Sequence, residues 1–168
     1  GILLLDMVEA VINSIPLNKN RKGVTVFDVP SSQFIKKLAE HFKEKNLVKI
    51  PAYNNLVKCS HTNELGPVNP DWFFTKAAAI ARRVYITKSK SLGVGSLKTI
   101  LGKKARRGVL PNVTSKGSGK IIRDIVGQLK KIGFAENYAT QEGTTMGLLI
   151  TKSGRAQLDK IASGLVKK

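Results

Sequence analysis

The sequence predicts a mainly α, winged-helix-like helical domain, built around a central amphipathic helix and carrying a small β-hairpin. Apolar residues recur at helical spacing in four stretches, and two short runs near the C-terminus suit the hairpin. The resulting order of helix, helix, helix, hairpin and helix is that of a winged-helix domain. The hydrophobic fraction of 42% is typical of globular chains, so we expect a packed core.

Residues 1–22 are predicted to be an N-terminal extension of unknown role, ahead of a single domain over 23–168. The apolar run from Gly1 to Leu5 is short, and Asp6 and Glu9 follow it closely. This pattern differs from that of a secretory signal peptide. No stretch of the sequence approaches the roughly 20 apolar residues of a membrane-spanning helix, so we expect no membrane partner.

The first core helix is predicted to follow the segment Gly23–Val29, with Asp28 or Ser31 as its cap. Its buried face is set by apolar residues at helical spacing: Phe34, Ile35, Leu38, Ala39 and Phe42. The next segment, 52–60, has too few apolar residues to decide between a helix and an extended piece.

The central helix is predicted over Trp72–Tyr85. Asn69 suits its cap, Pro70 its first position and Asp71 the positive end of its dipole. At about 100° per residue, apolar residues cover a broad arc, so several elements must pack on it. The opposite, narrower arc carries Thr75, Lys76, Ala79, Arg82 and Arg83.

The segment 88–119 is predicted to be a long basic loop region, with one short helical turn near Leu97–Leu101. It is rich in Gly, Ser, Lys and Arg and has little hydrophobic periodicity. Long loops in compact domains are usually functional or disordered. Glycines allow close approach to a phosphate backbone, and basic side chains contact it.

The third core helix is predicted over Lys120–Ile132, with Gly133 as its C-terminal stop. Short strands are then predicted over Phe134–Ala139 and Met146–Thr151, joined by a turn. Thr151 or Ser153 begins a last helix with an apolar side made of Leu158, Ile161, Ala162 and Leu165.

The charge distribution predicts a polyanionic partner. The chain has 29 Lys and Arg against 11 Asp and Glu, a formal net charge of +18, and it has no Asp or Glu from Trp72 to Arg123. Ordinary surfaces mix the two signs, because like charges repel. The candidate phosphate-contacting residues are Lys76, Arg82, Arg83, Lys98, Lys103, Lys104, Arg106, Arg107, Lys116, Lys120 and Arg123.

Signals for an enzyme or a metal site are weak. The sequence has no paired carboxylates, no metal cluster and no nucleophile motif, so we predict no catalytic activity, no cofactor and no small-molecule substrate. Two glycine-rich segments, 93–99 and 117–120, each lack a residue that a nucleotide-binding loop requires. The single cysteine, Cys59, is interpreted as a buried or half-buried thiol, and His41 as structural. His61 lies near Cys59, but the pair alone is a weak metal or nucleophile signal.

Four blocks of the sequence resemble the eukaryotic and archaeal small-subunit ribosomal protein family nineteen of the "e" type. They are Gly23–Val29, Trp72–Ala78 with Ala81, Arg82 and Tyr85, then Gly93–Ser96 with Arg106–Pro111, and Thr151 with Gly154–Ala162. The match runs in order from Gly23 to the C-terminus. Phe74 replaces a tyrosine that is common in the family, and residues 1–22 have no recognised counterpart.

The resemblance implies a structural protein in the head of the small ribosomal subunit. It implies binding to small-subunit ribosomal RNA, contact with neighbouring head proteins and a part in subunit maturation. A cytoplasmic location on the ribosome, with a nucleolar stage during assembly if the protein is eukaryotic, is implied as well. Among the basic residues, the family pattern favours Lys76, Arg82, Lys104, Arg106, Lys116 and Arg123.

The alternative hypothesis is a winged-helix protein that binds duplex DNA. Such a protein should place base-reading polar side chains on its third helix. Gln128 is the one good candidate there, and the heaviest positive charge lies on the central helix and the segment after it. The sequence therefore favours RNA binding over groove reading by the third helix.

Overall fold

A computed structural model describes residues 23–87, 92–139 and 145–166. The predicted N-terminal extension, the first four residues of the predicted basic loop region (88–91) and most of the turn of the C-terminal hairpin lie outside these residues. The described elements, in chain order, are a 3₁₀ turn (Val26–Asp28), α1 (Ser31–Glu44), α2 (Trp72–Ile86), α3 (Val94–Ile100), β1 (Lys103–Arg107), β2 (Leu110–Ser115), α4 (Gly119–Ile132), β3 (Ala135–Ala139), β4 (Thr145–Ile150) and α5 (Lys152–Val166).

Helix α2 lies at the centre of the core, as predicted. Its broad arc is fully used, because all of its apolar residues except Ala79 and Ile86 are buried. Trp72, at the start of the helix, is buried too, and its Nε1 donates a hydrogen bond of 3.3 Å to the Asn54 carbonyl. Helices α1 and α4, β4 and the 3₁₀ turn all contact α2, and α5 contacts it through Asp159, which accepts a hydrogen bond from Tyr85. These neighbours explain why α2 needs so wide an apolar surface.

The other core helices follow the predicted periodicity. In α1 the buried residues are Phe34, Leu38 and Phe42, and in α4 they include Ile122, Ile125 and Leu129. Gly133 ends α4 with a φ of +82°, the left-handed conformation that favours glycine at a helix C-terminus. Leu158 and Ala162 bury the inner side of α5.

Three caps were predicted, with different outcomes. The Thr151 hydroxyl accepts the Gly154 amide at 2.9 Å, which confirms Thr151 as the start of α5. The prediction for α1 was wrong, since Pro30 stands at its N-cap. Asp28 instead accepts the Thr25 amide at 2.8 Å and stabilises the 3₁₀ turn. Asn69 does accept the Asp71 amide at 2.9 Å, but α2 itself starts at Trp72.

The C-terminal hairpin is confirmed. Strands β3 and β4 pair antiparallel, with Ala135 opposite Ile150 and Tyr138 opposite Gly147. An additional bridge joins Leu92 to Leu148 through two backbone hydrogen bonds of 3.2 Å. The mainly α, winged-helix-like fold is therefore confirmed, with this hairpin in the position of the wing.

The short helical turn predicted near Leu97–Leu101 is confirmed and is longer than expected, since α3 covers Val94–Ile100. The prediction of a loop for the rest of the described part of 88–119 was wrong, because a second antiparallel hairpin follows α3. In this hairpin Lys103 pairs with Ser115 and Arg107 with Leu110. Gly108, with a φ of +65°, lies at the turn, where a positive φ is needed. The segment 52–60 forms turns, bends and irregular backbone, so neither the helix nor the extended piece considered for it is found.

Candidate nucleic-acid interface

The predicted basic residues fall into three groups on the fold. The α2 stripe, on the polar side of the central helix, consists of Lys76, Arg82 and Arg83. The basic arm is the β1–β2 hairpin, with Lys103, Lys104, Arg106 and Arg107. The junction cluster lies where α3 and β2 meet the start of α4, and it consists of Lys98, Lys116, Lys120 and Arg123.

The α2 stripe is fixed to the core by the apolar residues on the other side of the helix. Lys76 and Arg82 are half-buried and Arg83 is exposed. Arg82 and Arg83 lie about two turns beyond Lys76, or roughly 10 Å along the axis at 1.5 Å per residue. A ligand bound along this side of α2 would therefore meet cations at two levels.

Arg82 is half-buried and partly desolvated. Burial lowers the pKa of its guanidinium, and the positive charge of Arg83 lowers it further. Its Nε is buried without a hydrogen-bond partner among the described residues. A half-buried guanidinium without a counter-charge is costly unless an anion supplies one. Arg82 therefore suits a phosphate contact.

The basic arm extends from the body of the protein. Nearly all side chains of β1 and β2 are exposed, and the two strands contact each other far more than any other element. Such a hairpin presents its charges on both faces. Its turn also exposes Val109 and Leu110, at 105% and 61% of the reference area.

The base of the arm is held by close contacts with neighbouring parts of the protein. The Ser115 hydroxyl lies 2.8 Å from Nε2 of His61. Gly102 packs so closely on this strand that a Cβ would lie 2.4 Å from the Ser115 carbonyl oxygen. At the other end, Nε and Nη2 of Arg107 both donate to the Pro111 carbonyl, at 3.0 and 2.8 Å. Arg107 therefore braces the turn with two of its donors.

The junction cluster brings residues from two helices together over Gly119. A Cβ at Gly119 would lie 3.2 Å from Nη1 of Arg123 and 3.4 Å from Cδ of Lys98. The Gly117 amide also donates to the Lys98 carbonyl at 2.9 Å. The glycine thus leaves room for both side chains, and Lys116 is exposed one residue before Gly117.

Acidic partners are scarce around these three groups. The ion pairs within the described residues are Lys37–Glu40, Lys43–Asp71 and Lys120–Asp124. Only Lys120 belongs to the predicted set, and its pair is loose at 3.8 Å with a side chain 66% exposed. The Lys120 ammonium also lies 5.8 Å from the centre of the Tyr53 ring. Among the predicted basic residues, Lys120 is therefore the one whose positive charge is partly balanced by groups of the protein itself.

A groove that the sequence did not predict joins the α2 stripe to the basic arm. It has a volume of about 810 Å³, and both Lys76 of α2 and Lys103 of β1 line it. Its outer wall is the loop before α2, including Leu65, which is 81% exposed. In the sequence, the signal available for this wall was an apolar residue, Leu65, within a mostly polar loop.

Gln128 does not have the free side chain that the DNA-binding alternative requires. Its Oε1 accepts the Lys49 amide at 2.7 Å, and its Nε2 donates to the Lys49 carbonyl at 2.8 Å. Both ends of the amide therefore hold the segment after α1 against α4. The structure gives Gln128 a packing role.

The described residues offer no other obvious reactive site. No three His, Cys, Asp or Glu side chains within them gather as metal ligands would. Cys59 is a half-buried free thiol, as interpreted from the sequence. His41 is half-buried on α1, where burial lowers its pKa and Lys45 lowers it further, while Glu44 acts in the opposite direction. Of the helices described, none combines the length and apolar character that a bilayer-spanning helix needs.

Comparison with known proteins gives a consistent match over most of the chain. The family model for ribosomal protein S19e matches residues 25–168. The chain is 38% identical over 138 residues to the small ribosomal subunit protein eS19 of Oryza sativa subsp. japonica. The aligned region covers 82% of this chain and 90% of the relative. The chain is 37% identical over 145 residues to eS19B of Schizosaccharomyces pombe, with coverages of 86% and 96%. It is 34% identical over 142 residues to eS19G of Ascaris suum, with coverages of 84% and 92%.

Proposed function

This chain belongs to the ribosomal protein S19e family, and we propose that it is a structural component of the small ribosomal subunit that binds small-subunit ribosomal RNA. The similar proteins are named as small ribosomal subunit proteins. Ribosomal proteins form a structural rather than a catalytic class. The proposed role is accordingly to hold RNA in position, without chemistry on it.

The observation that carries the proposal is a cationic surface without acidic partners. No Asp or Glu occurs from Trp72 to Arg123, and the described ion pairs engage only one residue of the predicted set. Lysines and arginines that neutralise phosphates release bound counterions, and this release dominates nucleic-acid affinity. An RNA partner would therefore offset the self-repulsion of a chain with a net charge of +18.

The three groups are proposed to act differently on the RNA. The α2 stripe is fixed to the core and would set the position of the protein on the phosphate backbone. The basic arm would reach further across the RNA, with Lys104 and Arg106 as its main phosphate contacts, since Arg107 braces the turn. The junction cluster would extend the contact through Lys98, Lys116 and Arg123.

We propose the finer details from the family resemblance. The protein would lie in the head of the subunit beside neighbouring head proteins, and it would support subunit maturation. It would work on cytoplasmic ribosomes and join them at a nucleolar stage if the source is eukaryotic. Residues 23–168 are proposed as the single unit with this function, and residues 1–22 as an extension.

The experiment is sedimentation of tagged protein from a cell lysate on a sucrose gradient, with and without a high-salt wash. Co-migration with small subunits that survives the wash is the expected result, because an integral component is held by many contacts at once. Protein that stays at the top of the gradient, or that fractionates with chromatin, would contradict the proposal and favour the DNA-binding alternative.

A further inference from the structure

We propose that the groove between α2 and the loop before it binds an unpaired nucleotide of the RNA, with its base inside and its phosphates on Lys76 and Lys103. This inference rests on the proposed function and adds the kind of RNA feature that is recognised. It separates a site for single-stranded RNA from the general phosphate contacts of the surface.

The first argument is the composition of the groove. Its inner wall includes Trp72, Ile35 and Leu101, all held in place by the core or by α3. Trp72 is fixed in orientation because its Nε1 bonds to the Asn54 carbonyl at 3.3 Å. Rigid apolar and aromatic walls of this kind are what an unstacked base needs.

The second argument is the charge on the groove. Lys76 and Lys103 approach it from two different elements, α2 and β1, and neither is in an ion pair within the described residues. Glu64 is the one carboxylate that lines the groove. The ligand must therefore combine anionic groups with an apolar body. Unpaired nucleotides combine both, whereas the bases of a duplex are stacked and cannot enter.

The third argument is size and access. The volume of about 810 Å³ lies within the roughly 300–1,000 Å³ of sites that enclose small organic ligands. Leu65 is 81% exposed on the outer wall, where it offers an apolar contact to one face of a base. Val68, three residues later, is 98% exposed but does not line the groove, which makes it a matched control.

The experiment measures binding of the full chain to two labelled probes by fluorescence anisotropy. One probe is a single-stranded oligouridylate, and the other is an RNA duplex with the same number of phosphates. The variants are Ala79→Phe, which fills the groove from α2, and Leu65→Ser, which removes the exposed apolar contact. Val68→Ser is the control. Circular dichroism reports whether each variant is folded, and Leu65→Ser, being a surface change, keeps the test decisive if Ala79→Phe does not fold.

We expect Ala79→Phe and Leu65→Ser to weaken single-strand binding by about tenfold, the effect of losing one base contact. Their binding to the duplex should stay within about twofold, and Val68→Ser should match the wild type on both probes. Equal losses on both probes, or no loss on either, would overturn the groove proposal while leaving the proposed function intact. If the two variants bind both RNAs normally but lose contact with a ribosomal protein, the groove proposal is likewise overturned and the proposed function stands. A wild-type chain that binds neither probe would overturn both proposals.

Discussion

The Tyr85 hydroxyl donates a hydrogen bond of 2.6 Å to Oδ1 of Asp159 and so joins the end of α2 to α5. The Val26 amide donates to the same oxygen at 3.4 Å, which adds the 3₁₀ turn to this contact. The end of α2 that carries Arg82 and Arg83 is thus anchored from two sides. This anchoring makes the α2 stripe a rigid surface.

Replacing Tyr85 with Phe tests this anchor through its pH dependence. Burial, followed by the hydrogen bond to Asp159, raises the pKa of Tyr85 from 10.0 to about 12. Between these two pH values the folded protein keeps the Tyr85 proton while the unfolded chain loses it. The stabilisation by this hydroxyl is therefore complete below pH 10 and is lost as the pH rises to about 12. We expect Tyr85→Phe to lower the free energy of unfolding by roughly 1–2 kcal/mol at neutral pH. In urea titrations, the difference in free energy of unfolding between wild type and Tyr85→Phe should shrink above pH 10. A difference that does not change with pH would refute this role of Tyr85.

Replacing Arg82 with Met separates binding from stability. Because Nε of Arg82 has no partner among the described residues, the free energy of unfolding should change by less than about 1 kcal/mol or rise slightly. RNA affinity should fall by about tenfold, since the phosphate contact proposed for this poorly solvated guanidinium would be lost. Thermal unfolding and filter binding measure the two effects. The control is Lys160→Met, which removes one charge from the exposed side of α5 and should leave both the free energy of unfolding and the RNA affinity unchanged. A large loss of stability in Arg82→Met would show instead that Arg82 belongs to the core.

Replacing Gly102 with Ala should displace the basic arm. The added Cβ would lie 2.4 Å from the Ser115 carbonyl and 3.0 Å from the Thr99 carbonyl, and backbone atoms cannot move aside without shifting a strand. We expect a loss of roughly 1–3 kcal/mol in unfolding free energy together with weaker RNA binding. Gly95→Ala is the control, because a Cβ there meets nothing within 4 Å and should stabilise α3 slightly. Equal behaviour of the two variants would show that the base of the arm is not tightly packed.

Replacing Gln128 with Ala distinguishes packing from base reading. Both hydrogen bonds to Lys49 would be lost, so the free energy of unfolding should fall by roughly 1–2 kcal/mol. Affinity for RNA and for duplex DNA should stay within about twofold of wild type, as measured by competition binding at a temperature where the variant is folded. A selective loss of sequence-specific DNA binding would instead support the groove-reading alternative.

The helices of the core could be predicted from the sequence because their burial imposes a period. In α2 and α4 the buried residues recur as 3.6 residues per turn requires, so both helices were predicted. The Gly133 stop was predicted separately, from the preference of glycine for a helix C-terminus. The C-terminal hairpin was predictable for a related reason, since Leu148 and its neighbours form an apolar run between turn residues. In these elements the pattern of apolar residues in the sequence therefore indicates which residues are buried.

The basic arm could not be predicted in this way because its strands have no buried face. Lys103, Lys104, Arg106 and Arg107 are all exposed, so β1 shows no alternation of apolar and polar residues. Gly108 was the available signal, as a glycine that supplies the positive φ of a tight turn. Pairwise contacts of long sequence separation, such as Gln128 with Lys49, leave no local pattern at all.

Of the candidate site, the residue types were predictable and their arrangement was not. The absence of acids from Trp72 to Arg123 identified the cations without any structural knowledge. The meeting of Lys76 with Lys103 on one groove depends on how β1 leaves α3. The bracing role of Arg107 likewise depends on the turn geometry, which the loop prediction had missed.

The most direct test of the central claim is the salt dependence of binding to a small-subunit ribosomal RNA transcript. Each phosphate contact contributes roughly 0.7–0.9 to the slope of log affinity against log salt concentration. We predict a steep slope for wild type and a slope lower by about 1.5 for Lys104→Gln/Arg106→Gln. The control Lys130→Gln/Lys131→Gln, at the exposed C-terminal end of α4, should keep the wild-type slope. Salt-insensitive binding by wild type, or equal slopes for the two double variants, would contradict the account.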